Sequence, residues 1–577
     1  MFFRFLQSHV LTSSLILMLL PGQQQPPTPP PPDASQAPQV TFSSRTVLIT
    51  VPVVVTDKKG QHLRGLKQSD FEVEENGHKR EIANFQEIVT SGRPSKPGPP
   101  PAFPLSNFAT RAEGDSLTTI ITVDLLNTPY LSQTSAKEKL LKFLQAHVTD
   151  SGPMSLTVLT SHGLRLVHSF TTDPSVLIEA MKRLESRTAW QDEAALGKLQ
   201  DLSSTDAFDQ TLGANPTAAQ LQQVESRALA QAMAQTADAQ FVYQKQRDAT
   251  YITLTSLEEL AQSAAGIPGR KSLLWVTGGL PFTLIDPLGM TGIDTTMFQD
   301  YQRTWQALND ANVAVYPIDA NGLLAEGVDM QNRLPQSNTT PGFGSKRPGA
   351  PNFNISNTRN LQDSLRGFAY ATGGEPCVNR NDLDACAGLA IQDSSQYYML
   401  AYYLPSDDRK PGWRKLKVKV SAPHHEVRAR NAVYVGDAKA DDPHDTEHQF
   451  EIVFSSPIDY TAVPLGLKFN GITPGENGGR KVAFTVFLQP NGFTTEDNWI
   501  KLNVHFVATD TKDKSILVFS KRFLAHLKPG AVSDLMQNGF SYNGDMNLSP
   551  GRYQMKLLVR DDLNAKFGSI QTPLFVP

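Results

Sequence analysis

The chain has 577 residues, too many for one ordinary hydrophobic core, so about three domains are expected. Lys and Arg number 53 against 57 Asp and Glu, a net charge of -4, and charged residues make up 19% of the chain. That balance excludes the basic stripe of a nucleic-acid surface, so no nucleic-acid partner is expected.

Residues 1–22 read as a signal peptide. Arg4 supplies a small positive region, Val10 to Leu20 an apolar run too short to span a bilayer, and Pro21-Gly22 a turn. A secreted or periplasmic protein, with no stable membrane span after signal removal, is the expectation. The Gln- and Pro-rich residues 23–40 form a solvated linker. In TVLITVPVVVT, Val47, Ile49, Val51, Val53 and Val55 alternate with Leu48, Thr50, Pro52 and Val54, the period of a strand buried on one face and partly on the other. FEVEENGHKREI then carries Asn76-Gly77 between two short strands, the strongest local hairpin signal. Residues 41–90 are therefore read as a small β module, and the Pro-rich residues 91–116 as a second linker.

From residue 117 the period changes. TTIITVD, MSLTVLT, KSLLWVT and NVAVYPIDA are strands, alternating with helical patterns such as SAKEKLLKFLQAHV, FQDYQRTWQALNDAN and LQDSLRGFAYAT. TTDPSVLIEAMKRLES opens on a Thr/Asp cap with Pro174 in the first turn, and NDLDACAGLAIQDSS starts a helix near Asn381 or Asp382. This alternation predicts an α/β class, a mostly parallel sheet covered on both faces, over residues 117–435. An Ala- and Gln-rich helical insertion (190–250) and a Pro-, Gly- and Asn-rich mobile loop (325–358) interrupt it. QYYMLAYYLP is a further strand, and RKLKVKV with HEVRARNAVY is expected to close as a hairpin. Residues 436–446 read as a linker and 447–577 as an immunoglobulin-like β-sandwich, with FEIVFSS as the first of seven strands.

One strand end stands out. TTIITVD finishes in Asp124, and Asn127-Thr128 follow, at the carboxyl edge of a parallel sheet where open α/β folds place their crevices. One reading is a cation ligand; the other is a cap in which Asp124 and Asn127 satisfy loop and helix amides. Asp319, ending NVAVYPID, reaches the same edge or caps its own strand.

Here the residues resemble a known family. Strand-Asp followed by an amphipathic helix looks like a von Willebrand factor type A domain. Three blocks, VVVTDKKGQHLRGLKQSDFEVEENGHKREI, VDLLNT, and QYYMLAYYLPSDDRKPGWRKLKVKV with VRARNAVY, resemble the exported bacterial VWFA-related domain proteins. The resemblance spans about residues 41 to 435 and implies a von Willebrand factor A-like, Rossmann-like parallel-sheet domain that recognises an unidentified protein ligand at the top of the sheet. It also implies a metal-ion-dependent adhesion site for Mg²⁺ or Ca²⁺, with Asp124 in the first position, Thr128 in the fifth and Thr188 as the second-loop Thr. Leu126 replaces a ligating Ser and Gly278 stands where an Asp is expected, so the site is degenerate. Asn127, Gly278 and Asp319 would line the binding loops, and no cofactor need be bound.

Cys377 and Cys386 are the chain's two cysteines, and in an exported protein they most simply form a local disulfide. His444, Glu447 and His448 satisfy an H-x-x-E-H pattern, but the Pro-bearing polar segment around them reads as linker, not helix. Tyr397, Tyr398, Tyr402 and Tyr403 raise the thought of a sugar platform, although a strand core explains them equally. Without a nucleophile elbow, Walker loop or dinucleotide fingerprint, the expectation is a non-enzymatic binding, adhesion or scaffold protein. The alternatives are an envelope metallohydrolase or a carbohydrate-binding accessory protein.

Overall fold

The computed structural model describes residues 48–90, 103–107, 117–146, 152–185, 218–280, 297–322, 358–380, 382–405, 410–422, 425–436, 443–490, 492–512 and 514–577. The expected signal peptide, the first linker, Thr188 and all but the end of the 325–358 loop lie outside these residues.

Strands β1 (Leu48–Asp57), β2 (Phe71–Glu75), β3 (His78–Arg80) and β4 (Asn84–Val89) come first. Asn76 and Gly77 both take positive φ (49° and 84°), the left-handed pair that a two-residue hairpin needs, and Glu75 pairs with His78 across it. After β5 (Leu105–Ser106) come β6 (Thr118–Asp124), α1 (Tyr130–Ala146), β7 (Met154–Thr160), β8 (Gly163–Thr171), α2 (Pro174–Lys182), α3 (Ala218–Ala264), β9 (Lys271–Thr277), α4 (Phe298–Asp310) and β10 (Val313–Asp319). Asp173 caps α2 by accepting a hydrogen bond from the Ser175 amide, and Pro174 sits in the first turn, where a missing N–H costs nothing. Helices α5 (Thr358–Thr372) and α6 (Leu383–Ser395) lead into β11 (Gln396–Tyr403), β12 (Gly412–Val420), β13 (His425–Ala429) and β14 (Ala432–Val435).

One sheet is mixed, in the order β10-β9-β6-β7-β8, with β8 antiparallel to β7 and the other pairs parallel. Its strands are buried along their whole length except β8. Ile121, Val123, Leu274 and Val276 pack on one side against Leu140 and Phe143 of α1 and Ala390 of α6. Leu273, Trp275 and Val315 pack on the other against Leu257 of α3, Trp305 of α4 and Phe368 of α5. Each such Val, Leu, Ile or Phe side chain stabilises the fold by about 1.5–3 kcal/mol on burial.

Among the described residues every other sheet is antiparallel. Sheets β13-β1-β11-β4 and β14-β12-β2-β3 share a core of Val51, Val53, Tyr398, Leu400 and Leu416. Beyond them lie α7 (Pro443–Ser455), β15 (Leu465–Pro474), β16 (Arg480–Leu488), β17 (Trp499–Asp510), β18 (Ser515–His526), α8 (Pro529–Asn538), β19 (Phe540–Leu548), β20 (Gly551–Asp561) and β21 (Lys566–Val576). Sheets β19-β16-β15-β5 and β18-β17-β20-β21 enclose Leu467, Phe484, Val486, Phe506 and Leu557.

This architecture corrects the expected fold class. A von Willebrand factor A-like parallel-sheet class was expected to define the chain, but among the described residues antiparallel sheets dominate, and parallel strand pairs occur only in part of one mixed sheet. The physical reason is that long runs such as LITVPVVVTD, buried on both faces and able to pair along both edges, find antiparallel partners far away in sequence. β1 pairs with β11 (Val51 opposite Leu400) and with β13 (Val55 opposite Val427), and β2 pairs with β12. Residues 48–90 thus share their sheets with residues 396–435. For the same reason the expected hairpin after residue 412 forms only in part: β12 pairs antiparallel with β14 (Arg414 opposite Val433), while β13 joins β1 in the other sheet.

Three further elements differ from expectation. Of the helical stretch assigned to 190–250, residues 190–217 lie outside the described residues and residues 218–250 belong to α3, which runs on to Ala264, its Leu254, Leu257 and Leu260 packing against the mixed sheet. FEIVFSS is the end of helix α7, not a strand; Val453 meets Tyr460 and Phe567, a contact that periodicity over so short an apolar run does not reveal. The second linker contains β5, which pairs with β15, while Phe103 stacks on Phe487 at 5.0 Å. Asn107 then binds three backbone groups of the sandwich: its amide donates to the Tyr460 and Val463 carbonyls (2.6 and 2.9 Å), and its Oδ1 accepts from the Leu465 amide (2.8 Å).

The sandwich is also fastened to the end of α3. The Thr461 amide and hydroxyl both donate to the Ser263 carbonyl (3.1 and 2.6 Å), and the hydroxyl accepts from the Gly266 amide (3.0 Å). A Cβ on Gly266 would fall 1.7 Å from the Thr461 carbonyl oxygen, so glycine is required for that approach.

Candidate functional site at the strand ends

β6 is central in the mixed sheet, so Asp124 at its carboxyl end is fully buried, at 0% exposure. Asp124 Oδ1 accepts from the Asn127 amide (2.9 Å). Asp124 Oδ2 accepts from Asn127 Nδ2 (2.8 Å), the Thr277 hydroxyl (2.7 Å) and Trp275 Nε1 (3.3 Å). Asn127 Nδ2 also donates to the Thr253 hydroxyl (2.7 Å), which donates to the Ala249 carbonyl of its own helix. β6, β9 and α3 are thereby tied together at one carboxylate. Burial pushes the Asp124 carboxyl above its ordinary range, and the donors from Asn127, Thr277 and Trp275 oppose that rise.

Gly278 passes so close that a Cβ there would lie 2.3 Å from the Asn127 carbonyl oxygen. Asp319 sits two strands away on β10. Its Oδ1 accepts from the Asn321 amide (2.9 Å) and its Oδ2 from Gln362 (3.3 Å), while burial pushes its carboxyl up. Asn321 reaches back to the Gly278 carbonyl (3.4 Å) and accepts from Ser132 (3.1 Å). Asp124, Asn127, Gly278 and Asp319 therefore share one strand edge. Thr128 is buried nearby, and its hydroxyl has no hydrogen-bond partner among the described residues. Leu126 packs against Leu159 and Ala249.

These residues do not fit a hard cation. Mg²⁺ takes about six and Ca²⁺ six to eight oxygen ligands. Around Asp124 the chain instead places N–H and O–H donors, three of them nitrogens that have no lone pair to offer, and Leu126 and Gly278 bring no side-chain oxygen. Thr128 alone does not make a coordination shell. Sequence reading overlooked Trp275, Thr277 and Thr253. The first two were legible as the end of KSLLWVT, but nothing local in sequence places Thr253 of α3 beside Asn127.

The other candidates separate in space. Cys377 and Cys386 are joined by a disulfide linking the loop beside Ile318 to α6. Tyr397, Tyr398 and Tyr402 are buried, the Tyr397 hydroxyl accepting from the Arg270 amide and that of Tyr398 donating to the Leu63 carbonyl, so these three rings are core, and Tyr403 alone of the four is exposed. His444, Glu447 and His448 lie on α7, where a linker was expected. A cleft of about 1100 Å³ opens where the mixed sheet, β4 and the sandwich meet, with Gln86, Asn107, Asp459 and Gln571 in its walls. Burial pushes the Asp459 carboxyl up to about 6 and, behind it, the Lys556 amine down to about 8, each partly offset by the other's charge.

No family model matches the chain, and no curated protein matches it. Among solved structures it is similar to the N-terminal domain of TFIIH p34 (14% identity, 35% of this chain and 79% of that one, TM-score 0.14). It is also similar to the pilus adhesin SpaC from Lactobacillus rhamnosus GG (8% identity, 89% and 58%, TM-score 0.25). The type V pili tip protein Mfa5 from Porphyromonas gingivalis is a third (8% identity, 86% and 77%, TM-score 0.22). Scores this low carry no argument about fold or function. Among the described residues no helix is long and apolar enough to cross a membrane.

Proposed function

We propose that the chain is an exported, non-catalytic protein-binding or scaffold protein whose strand-end surface works without a metal ion. The observation that carries this reading is the Asp124 carboxylate, fully buried and accepting four hydrogen bonds from donors of its own chain. Kinship with the exported bacterial VWFA-related proteins belongs to the same proposal and rests on the three sequence blocks. Export rests on residues 1–22 and on a disulfide of the kind oxidising compartments favour. The test is a thermal melt of chelator-treated protein titrated with Mg²⁺, Ca²⁺ and Mn²⁺ beside Asp124→Asn. A ligand of the folded state must raise Tm with concentration, so a flat response supports the reading and a saturable rise lost in the variant overturns it.

One observation favours a second reading, an envelope metallohydrolase. The segment carrying His444, Glu447 and His448 lies within helix α7, the element such a site requires. Zinc bound at unit stoichiometry in purified protein would support it; zinc-free protein that gains none on addition would remove it.

A further inference from the structure

A second concavity lies beside the strand ends, and its chemistry is charged. A cleft of about 320 Å³ is floored by Leu125, which follows Asp124, and by Val158 of β7, Val167 of β8 and Ala180 of α2. Its rim carries Arg165, Arg183 and Glu185, all three exposed. Arg165 lies on β8 opposite Val158. Arg183 caps the end of α2, where the nearby carbonyls of Lys182 and Leu184 already accept from Lys137 Nζ (2.9 and 2.6 Å). Among the described residues neither guanidinium has a side-chain hydrogen bond or ion pair.

We propose that this cleft takes the carboxylate of an Asp or Glu presented by a protein partner beside an apolar residue. The inference rests on the metal-independent reading above. Guanidinium groups match carboxylates through paired N–H donors, and the apolar floor receives the neighbouring side chain. Two arginines with one glutamate leave a net charge of about +1, which matches a monoanionic carboxylate better than a phosphate dianion. The volume suits one or two residues and is at the lower limit for a whole small-molecule ligand.

The experiment is fluorescence anisotropy at low salt with a labelled Ala-Leu-Glu-Leu-Ala peptide blocked at both ends, against its Gln counterpart. The Glu peptide is expected to bind at least about tenfold tighter, with Arg165→Gln and Arg183→Gln each removing most of that difference and Glu185→Gln enlarging it. All three residues are exposed, so unchanged melting curves verify the fold. Equal binding of the two peptides, no binding of either, indifference to both arginine variants, or displacement by inorganic phosphate better than by acetate overturns the inference. Repeating the titration with chelator and with Mg²⁺ separates the two proposals: binding that requires Mg²⁺ sinks the metal-independent reading, whereas binding indifferent to both Mg²⁺ and the arginines sinks this one alone.

Discussion

Asn127 grips Asp124 twice, its backbone amide on Oδ1 at 2.9 Å and its side-chain amide on Oδ2 at 2.8 Å. With Thr277 and Trp275 on Oδ2, the carboxylate becomes a fastener between β6 and β9. Hydrogen bonds to a charged group contribute about 1.5–3 kcal/mol, and stranded buried donors cost more. Asp124→Ala is therefore expected to lose at least about 3 kcal/mol of stability, with Asn127→Ala losing about 2 kcal/mol, in urea melts. A loss within about 0.5 kcal/mol for Asp124→Ala, the range of ordinary surface substitutions, would contradict the structural role.

Gly278→Asp tests the same edge from the other side. It installs the acid that the resemblance expects, yet its Cβ would meet the Asn127 carbonyl oxygen at 2.3 Å. The expected outcome is a loss of about 2 kcal/mol or more with no gain in Mg²⁺ or Ca²⁺ affinity by calorimetry. A variant of normal stability that binds the cation would show that the loop has room to become a ligand.

Asp459 and Lys556 predict a stability profile with two slopes. Asp459 has an ordinary carboxyl value of 3.8 raised to about 6, so between about pH 4 and pH 6 the folded protein keeps a proton the unfolded chain has lost, and stability falls as pH rises. Lys556 is lowered from 10.5 to about 8, so between those values the unfolded chain holds the extra proton and stability rises with pH. Glu259, also pushed up by burial, faces the same amine. Each change amounts to about 3 kcal/mol at 1.36 kcal/mol per pKa unit. Comparing melts with Asp459→Asn should flatten the acid slope, and with Lys556→Met the alkaline one; unchanged slopes would contradict the assignment.

Asn107→Ala removes three hydrogen bonds to Tyr460, Val463 and Leu465 from a segment that reads as linker. A cost of about 2–3 kcal/mol is expected, concentrated at the sandwich edge. Amide exchange should speed up at Leu465 and Leu467 while Ile121 in the mixed sheet stays protected; equal protection throughout would mean that the strap carries no load.

Local chemistry was legible wherever a few adjacent residues decide it. The Asn76-Gly77 turn, the Asp173 cap with Pro174, and the strands ending in Asp124, Thr277 and Asp319 all follow from short-range sterics and capping, which neighbours in sequence supply. The fold class was not legible. Val51 of β1 needed Leu400 as a partner, a choice made across more than three hundred residues by which strand edges meet in space. The fate of Asp124 follows the same division. Its position at a strand end is written in TTIITVD, and the low-dielectric burial that makes a charge costly unless paired is general physics. Whether a cation or the chain's own donors would pay that cost depended on Thr253 arriving from α3 to orient Asn127, and on Trp275 and Thr277 arriving from β9. No local pattern encodes those arrivals, because they are set by how sheets and helices pack once the whole chain has folded.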